Sequence, residues 1–175
     1  MDYGQHFRQK LFTIKNEMNY KTRKATLNDL PTLLRFEQGV IKAERPFDPT
    51  IKEGAIAYYD ISELISSNES EVYIVEINHE IVASGYAKIK TDRHYLKHTH
   101  IGYLGFMFVD ENHRGVGVNK LIIDTLLKWC QERNIFEIRL DVYDDNLPAI
   151  KAYEKVGFKK HMINMRLNIE NSDLN

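Results

Sequence analysis

The stretch from residue 103 to residue 123 sets the tightest limit on what this chain can fold into. An apolar, strand-forming run ends in Arg114-Gly115-Val116-Gly117 and passes at once into a helical pattern. Val118, Leu121, Ile122, Leu126 and Trp129 recur at spacings of three and four, while Lys120, Asp124, Lys128 and Glu132 fall on the opposite face. A helix that starts this way leaves its first N–H groups without intrahelical partners, at the positive end of its dipole. That is an anion cradle, and Gly115 and Gly117 let a ligand come close to the backbone. The alternative is an ordinary strand-turn-helix junction in which the glycines only shape the turn. Two other phosphate loops are excluded by the letters. A dinucleotide fingerprint needs a third glycine where Lys120 stands, and G-x-x-x-x-G-K followed by Ser or Thr occurs nowhere in the chain.

A second constellation lies downstream. Residues 138–143 read as a strand, followed by a short helix with its own punctuation. Asp145 or Asn146 can cap its start, Pro148 is tolerated in its first turn, and Gly157 supplies the left-handed stop. Asn146, Ile150 and Tyr153 share one face, and seven residues at 1.5 Å rise place Asn146 about 10 Å from Tyr153. One extended ligand can touch both.

Together the two segments resemble the GNAT superfamily of acetyl-CoA-dependent N-acetyltransferases. The family's phosphate loop has Arg or Gln, two residues, Gly, one residue, then Gly or Ala. Here it reads Arg114-Gly115-Val116-Gly117-Val118-Asn119. The downstream signature matches at Asn146, Ala149, Tyr153, Glu154, Lys155, Gly157 and Phe158. The match is firm over about residues 100–160 and looser from Tyr20 onward. Asn119 departs from the pattern: its side chain either crowds the pyrophosphate or donates a hydrogen bond to it, and Lys120 adds charge beside it.

The resemblance implies acetyl-CoA as cosubstrate, with its pyrophosphate against residues 114–120, that is Arg114, Gly115, Val116, Gly117, Val118, Asn119 and Lys120. The pantetheine arm is expected along Phe108 and Val109, hydrogen-bonded by Asn146. A backbone N–H near residues 106–108 would polarise the thioester carbonyl, and Gly105 is consistent with a bulge there. Tyr153 is expected as the general acid that protonates the leaving thiolate. A phenol near pKa 10 facing a thiol near 8.5 makes that transfer uphill by about 2 kcal/mol. Without the resemblance, Tyr153 reads as a half-buried residue beside Ile150 and Val156. For the base, Glu37 on the first helix is the choice, with Glu44, Asp48, His98, His100, Tyr103 or a water chain as alternatives. Glu44, Arg45 and Tyr103 are expected to bind the acceptor, Arg45 as a bidentate grip on a carboxylate. A surface salt-bridge loop would explain residues 44–48 as well.

The implied reaction is direct transfer of the acetyl group to a primary amine of a small molecule or peptide. The rival is a non-catalytic acyl-CoA-binding sensor or regulatory module of the same fold. Turnover separates the two, and the presence of Tyr153 favours the enzyme. With a net charge of -1, no overall field attracts nucleic acid or an anionic membrane. No run approaches 18 apolar residues and the first residues lack an apolar signal core, so a cytoplasmic protein is expected. Cys130, the lone cysteine, lies among apolar helix residues and is expected to be buried. His94, His98 and His100 have no cysteine nearby, so no metal site is expected.

The fold class is α/β (mixed α+β), a GNAT fold with a central mixed, twisted sheet, helices on both faces and the order β-α-α-β-β-β-α-β-α-β. Residues 20–26 read as the first strand. Thr26 to Asp29 has the logic of a capping box for a helix with Leu30, Leu33, Leu34, Val40 and Ile41 on its buried face. Pro46 and Pro49 break that helix. A second helix is expected over residues 52–66, a hairpin around Asn78-His79, a strand over residues 136–142 and a closing strand over residues 158–167. Residues 1–17 read as an extension that packs on the surface, contacts a second subunit in a homodimer, or comes from an upstream start codon. Residues 18–169 read as one domain and residues 170–175 as a polar tail.

Overall fold

The computed structural model describes residues 19–169, so the expectations for residues 1–17 and 170–175 lie outside the described residues. The first strand, β1 (Lys21–Lys24), leads into a 3-10 turn (Leu27–Asp29) and then helix α1 (Leu30–Glu44). The capping box forms as the letters require: the Asp29 carboxylate accepts the Thr26 backbone N–H at 2.8 Å. Arg23 grips the same carboxylate with both terminal nitrogens, at 2.8 and 2.9 Å, and holds Asp29 down at about pKa 2. This ties β1 to the start of α1.

Helix α2 (Ile61–Ser66) is much shorter than the helix expected over residues 52–66. The reason lies in α1 and its C-cap Arg45, whose side chains take over the backbone groups of the segment before α2. Arg45 donates to the carbonyls of Lys52 and Gly54, Gln38 donates to that of Ile56, and Glu37 accepts the N–H groups of Tyr58 and Tyr59. A backbone satisfied this way has no need of helical hydrogen bonds. Asp60 then caps α2 by accepting from Glu63 N at 2.9 Å.

Strands β2 (Ser70–Ile77) and β3 (Glu80–Thr91) form the hairpin read from the sequence. Its turn residues Asn78 and His79 take φ of 50° and 67°, the mirror-image turn that suits strand twist. β4 (His100–Val109) follows, then helix α3 (Val118–Gln131), β5 (Ile138–Arg139) and helix α4 (Leu147–Lys155). The sheet order is β1-β2-β3-β4-β5, antiparallel through β4 and parallel between β4 and β5.

Each sheet face buries its own layer. Leu33, Phe36 and Val40 of α1 and Ile61 and Leu64 of α2 pack with Val72, Ile74, Tyr86 and Phe106. On the other face Val118, Ile122 and Ile123 of α3 pack with Val75, Val82 and Ala83, and Tyr153 and Val156 of α4 lean on them. Helices therefore lie on both faces, and Cys130 is buried. Gly39 leaves room on α1 for the Phe108 ring, since a Cβ there would lie 2.5 Å from it.

Two strand expectations at the C-terminal end are corrected. β5 pairs over two residues instead of spanning 136–142, and no closing strand forms over 158–167. Ile163 and Met165 are 85% and 88% exposed, and Phe136 is 71% exposed. A strand needs a ladder partner, and two paired residues at the sheet edge are too short to recruit another.

Candidate cofactor cleft and acceptor face

The cradle has the geometry its letters imply. Gly115 and Gly117 adopt φ of 74° and 99°, and Gly117 is the N-cap of α3 with no side chain capping the helix. A Cβ at either glycine would meet nothing within 4 Å. Backbone torsion rather than crowding therefore requires glycine, and the space before the first amides of α3 is open. The residues present fit an anionic pyrophosphate. Val118 is buried at the base of the helix, Asn119 is half-buried, and Lys120 is exposed and paired with Asp124. Arg114 Nε donates to the Val109 carbonyl at 3.0 Å, which fixes the turn to the end of β4.

β4 and β5 meet only at Gly102↔Ile138 and Tyr103↔Arg139, so residues 104–109 of β4 have no strand partner on that side. Within this segment the register with β3 slips: Tyr86 pairs with Gly105, but Ser84 pairs with Phe108. The extra residue is a bulge on β4, and Phe106 takes a φ of 55°, which a bulky side chain rarely adopts. Ser84 Oγ donates to the Phe106 carbonyl at 3.2 Å. Gly105 is required by contact, since a Cβ there would lie 2.6 Å from the Tyr86 hydroxyl oxygen. Phe108 stacks on Phe36 with centroids 4.3 Å apart, while Val109 packs toward α3.

Beside the split lies a wall of tyrosines and carboxylates. Glu44, at the end of α1, is half-buried, and burial raises its pKa against the opposing hydrogen bond from Tyr58. Burial also raises Tyr153 to about 12, and the charge of Glu44 adds to the shift. Tyr103 donates to Asp141 Oδ2 at 2.8 Å, and burial raises its phenol well above 10. Tyr59 is pushed up by burial as well, and contacts Tyr86 and Phe106 with centroids 5.5 and 5.4 Å away. Asn146 caps α4, its Oδ1 accepting from Ala149 N at 3.3 Å.

Several expected site residues have other engagements. Glu37 is fully buried, with Oε1 held by two backbone amides at 2.7 and 2.8 Å. The two terminal nitrogens of Arg45 bind loop carbonyls at 2.7 and 2.9 Å. His98 and Arg139 both contact Asp92 Oδ2, at 2.7 and 2.8 Å, and so secure β5 to the β3–β4 turn. Asp48 is held at about pKa 2 by Thr50, and pairs with Arg166 at 2.9 Å. Among the described residues no group of three or more His, Cys, Asp or Glu side chains is placed to hold a metal ion. No described helix is long and apolar enough to cross a membrane. Tyr59, Tyr86 and Asp141 were missing from the residues read off the sequence. Tyr86 had a usable signal, lying in β3 at the same strand parity as the lysines that follow it.

A split pair of parallel strands beside an uncapped, glycine-rich helix start is an α/β arrangement with a crevice at the strand ends, the usual place for a ligand in such sheets. The model of the acetyltransferase (GNAT) family matches residues 38–158, and the chain belongs to that family. An N-alpha-acetyltransferase of Sulfolobus acidocaldarius is 26% identical over 151 residues, 83% of each chain. Among solved structures, a tetramutant of the BH1408 protein from Bacillus halodurans is 22% identical with a TM-score of 0.75, over 85% of this chain and 99% of that one. A predicted acetyltransferase from Clostridium acetobutylicum, crystallised with acetyl-CoA, is 22% identical with a TM-score of 0.63, over 88% and 99%. The two structures show the fold, and the family match supports acetyl-CoA use.

Proposed function

We propose that this protein transfers the acetyl group of acetyl-CoA directly to a primary amine, and that the acceptor is the α-amine of a peptide. The observation that carries the reading is the glycine cradle at one end of the split strands, in a chain that belongs to the acetyltransferase family. The name of the archaeal relative, which aligns over most of both chains, supports the peptide acceptor.

In this reading the amides of residues 118–120 hold the pyrophosphate and Asn146 steadies the pantetheine arm while capping α4. Acetyl-CoA supplies an acyl group activated as a thioester. The bulge at Phe106 aims a backbone N–H at the developing oxyanion. Tyr153, neutral at any working pH because burial holds it near 12, gives its proton to the departing thiolate. Glu44 accepts a proton from the incoming ammonium, a role assigned here in preference to Glu37, whose Oε1 is taken by the amides of Tyr58 and Tyr59. A carboxylate raised by burial is the better base near neutral pH.

Release of free CoA thiol from acetyl-CoA with a panel of amines and peptides tests the reading. Acceptor-dependent thiol release with mass gain on the peptide N-terminus is expected. CoA binding without turnover of any acceptor would refute it in favour of an acyl-CoA-binding module.

A further inference from the structure

Beyond the reacting centre, the acceptor face of β3 carries a row of three side chains. Tyr86, Lys88 and Lys90 alternate toward the α1 side, while Ala87 and Ile89 face α3. Tyr86 lies over Gly105 beside the bulge, and Tyr103 is the register partner of Lys88. Lys90 Nζ rests 3.3 Å from the centroid of the Tyr103 ring, which places this ammonium on the same face as the tyrosine wall. At 3.4 Å per residue Lys88 and Lys90 lie about 7 and about 14 Å from Tyr86 along the strand.

These two lysines differ from the other basic groups around the cleft. Arg45 is spent on loop carbonyls, Arg139 on Asp92 and Glu137, and Arg166 on Asp48. Among the described residues neither the Lys88 nor the Lys90 side chain makes an ion pair or a hydrogen bond, although both backbones lie in the β3 ladder. The charge of Asp141 acts on Lys90, but its Oδ2 already accepts from Tyr103. Partial burial and the neighbouring Lys88 charge push the pKa of Lys90 down while Asp141 pushes it up, and an anion brought to the pair would offset the repulsion between the two lysines.

Resting on the peptide-acceptor reading, we infer that Lys88 and Lys90 form an anion subsite that selects peptides with acidic side chains within the first few residues after the reacting amine. The spacing matches two to four residues of extended chain leading away from the bulge. A peptide lying along β3 and β4 would bring its second to fourth side chains over the two ammonium groups, while its amine faces Glu44. The acidic wall near the bulge and the basic pair beyond it thus match an acceptor with a cationic head and an anionic continuation.

The test uses the full chain, acetyl-CoA and two peptides that differ only in charge, one beginning Ala-Glu-Glu-Glu and the other Ala-Gln-Gln-Gln. Two exposed charge contacts correspond to about a tenfold preference in kcat/KM for the acidic peptide, shrinking as salt is added. In the K88E/K90E double variant the preference is expected to invert, with circular dichroism confirming the fold. Fluorescence anisotropy of both peptides with CoA present reads the same preference without turnover. If neither peptide is acetylated yet anisotropy shows the charge preference, the peptide-acetyltransferase reading falls and the subsite stands. Equal handling of the two peptides by the wild type, or a preference that survives in K88E/K90E, overturns the subsite.

Discussion

Replacing Gly117 by Ala isolates what the cradle does. The residue has φ of 99° and ψ of 1°, and a Cβ would meet nothing within 4 Å. In the free protein the cost is therefore torsional, about 1–2 kcal/mol for an L-residue held in a left-handed conformation. For a chain of this size that lowers Tm by about 2–8 °C. A larger effect is expected on the ligand, because residue 117 is the N-cap directly before the α3 amides and a methyl group there would occupy space that is open in the free protein. Losing one charge-assisted hydrogen bond to a phosphate costs about 1.5–3 kcal/mol, or about 10- to 150-fold in Kd for CoA. Isothermal titration with CoA and a thermal melt without it separate the two effects. A variant that melts early but binds CoA within about threefold of wild type would show that the α3 amides do not hold the pyrophosphate.

Other expected outcomes follow from the same site. Tyr153→Phe should lower kcat about tenfold or more with little change in acetyl-CoA affinity, and an unchanged kcat would place the proton donor elsewhere. Glu44→Gln should remove the acidic limb of the kcat/KM profile. In the wild type that limb is expected above the ordinary carboxylate range, because a raised pKa means the base is protonated, and activity lost, at a higher pH on acidification. Glu37→Ala leaves the N–H groups of Tyr58 and Tyr59 without their acceptor and should cost about 2–4 kcal/mol in urea unfolding, with Glu37→Gln costing less. Wild-type stability with lost turnover in Glu37→Ala would return the base role to Glu37.

What the letters could convey was mostly local. The turn at Asn78-His79, the capping box at Thr26 and Asp29 and the glycine junction before α3 each have a mechanism confined to a few neighbouring residues, and each formed as read. Residues 52–60 depend instead on α1 side chains up to 22 positions away, and nothing in Glu37, Gln38 or Arg45 announces that they will bind another segment's backbone. The same gap explains the acceptor wall. Asp141 acquires its place through a hydrogen bond from Tyr103, 38 residues earlier. The strand expected over residues 158–167 needs an available edge to pair with, and β5 is too short to provide one.

The split between β4 and β5 also bears on how the protein behaves in solution. From Leu104 to Val109 a sheet edge ends without a neighbouring strand, and such edges are templates for pairing with foreign chains. Proteins usually blunt them with charge or proline, yet this one reads Leu104-Gly-Phe-Met-Phe-Val109. Access to the proposed site and colloidal safety thus make opposite demands on the same six residues, and in that reading a ligand lodged in the crevice would satisfy both. Purified protein kept saturated with CoA should therefore outlast ligand-free protein against aggregation, which makes the cosubstrate a guardian of the fold as well as a reactant.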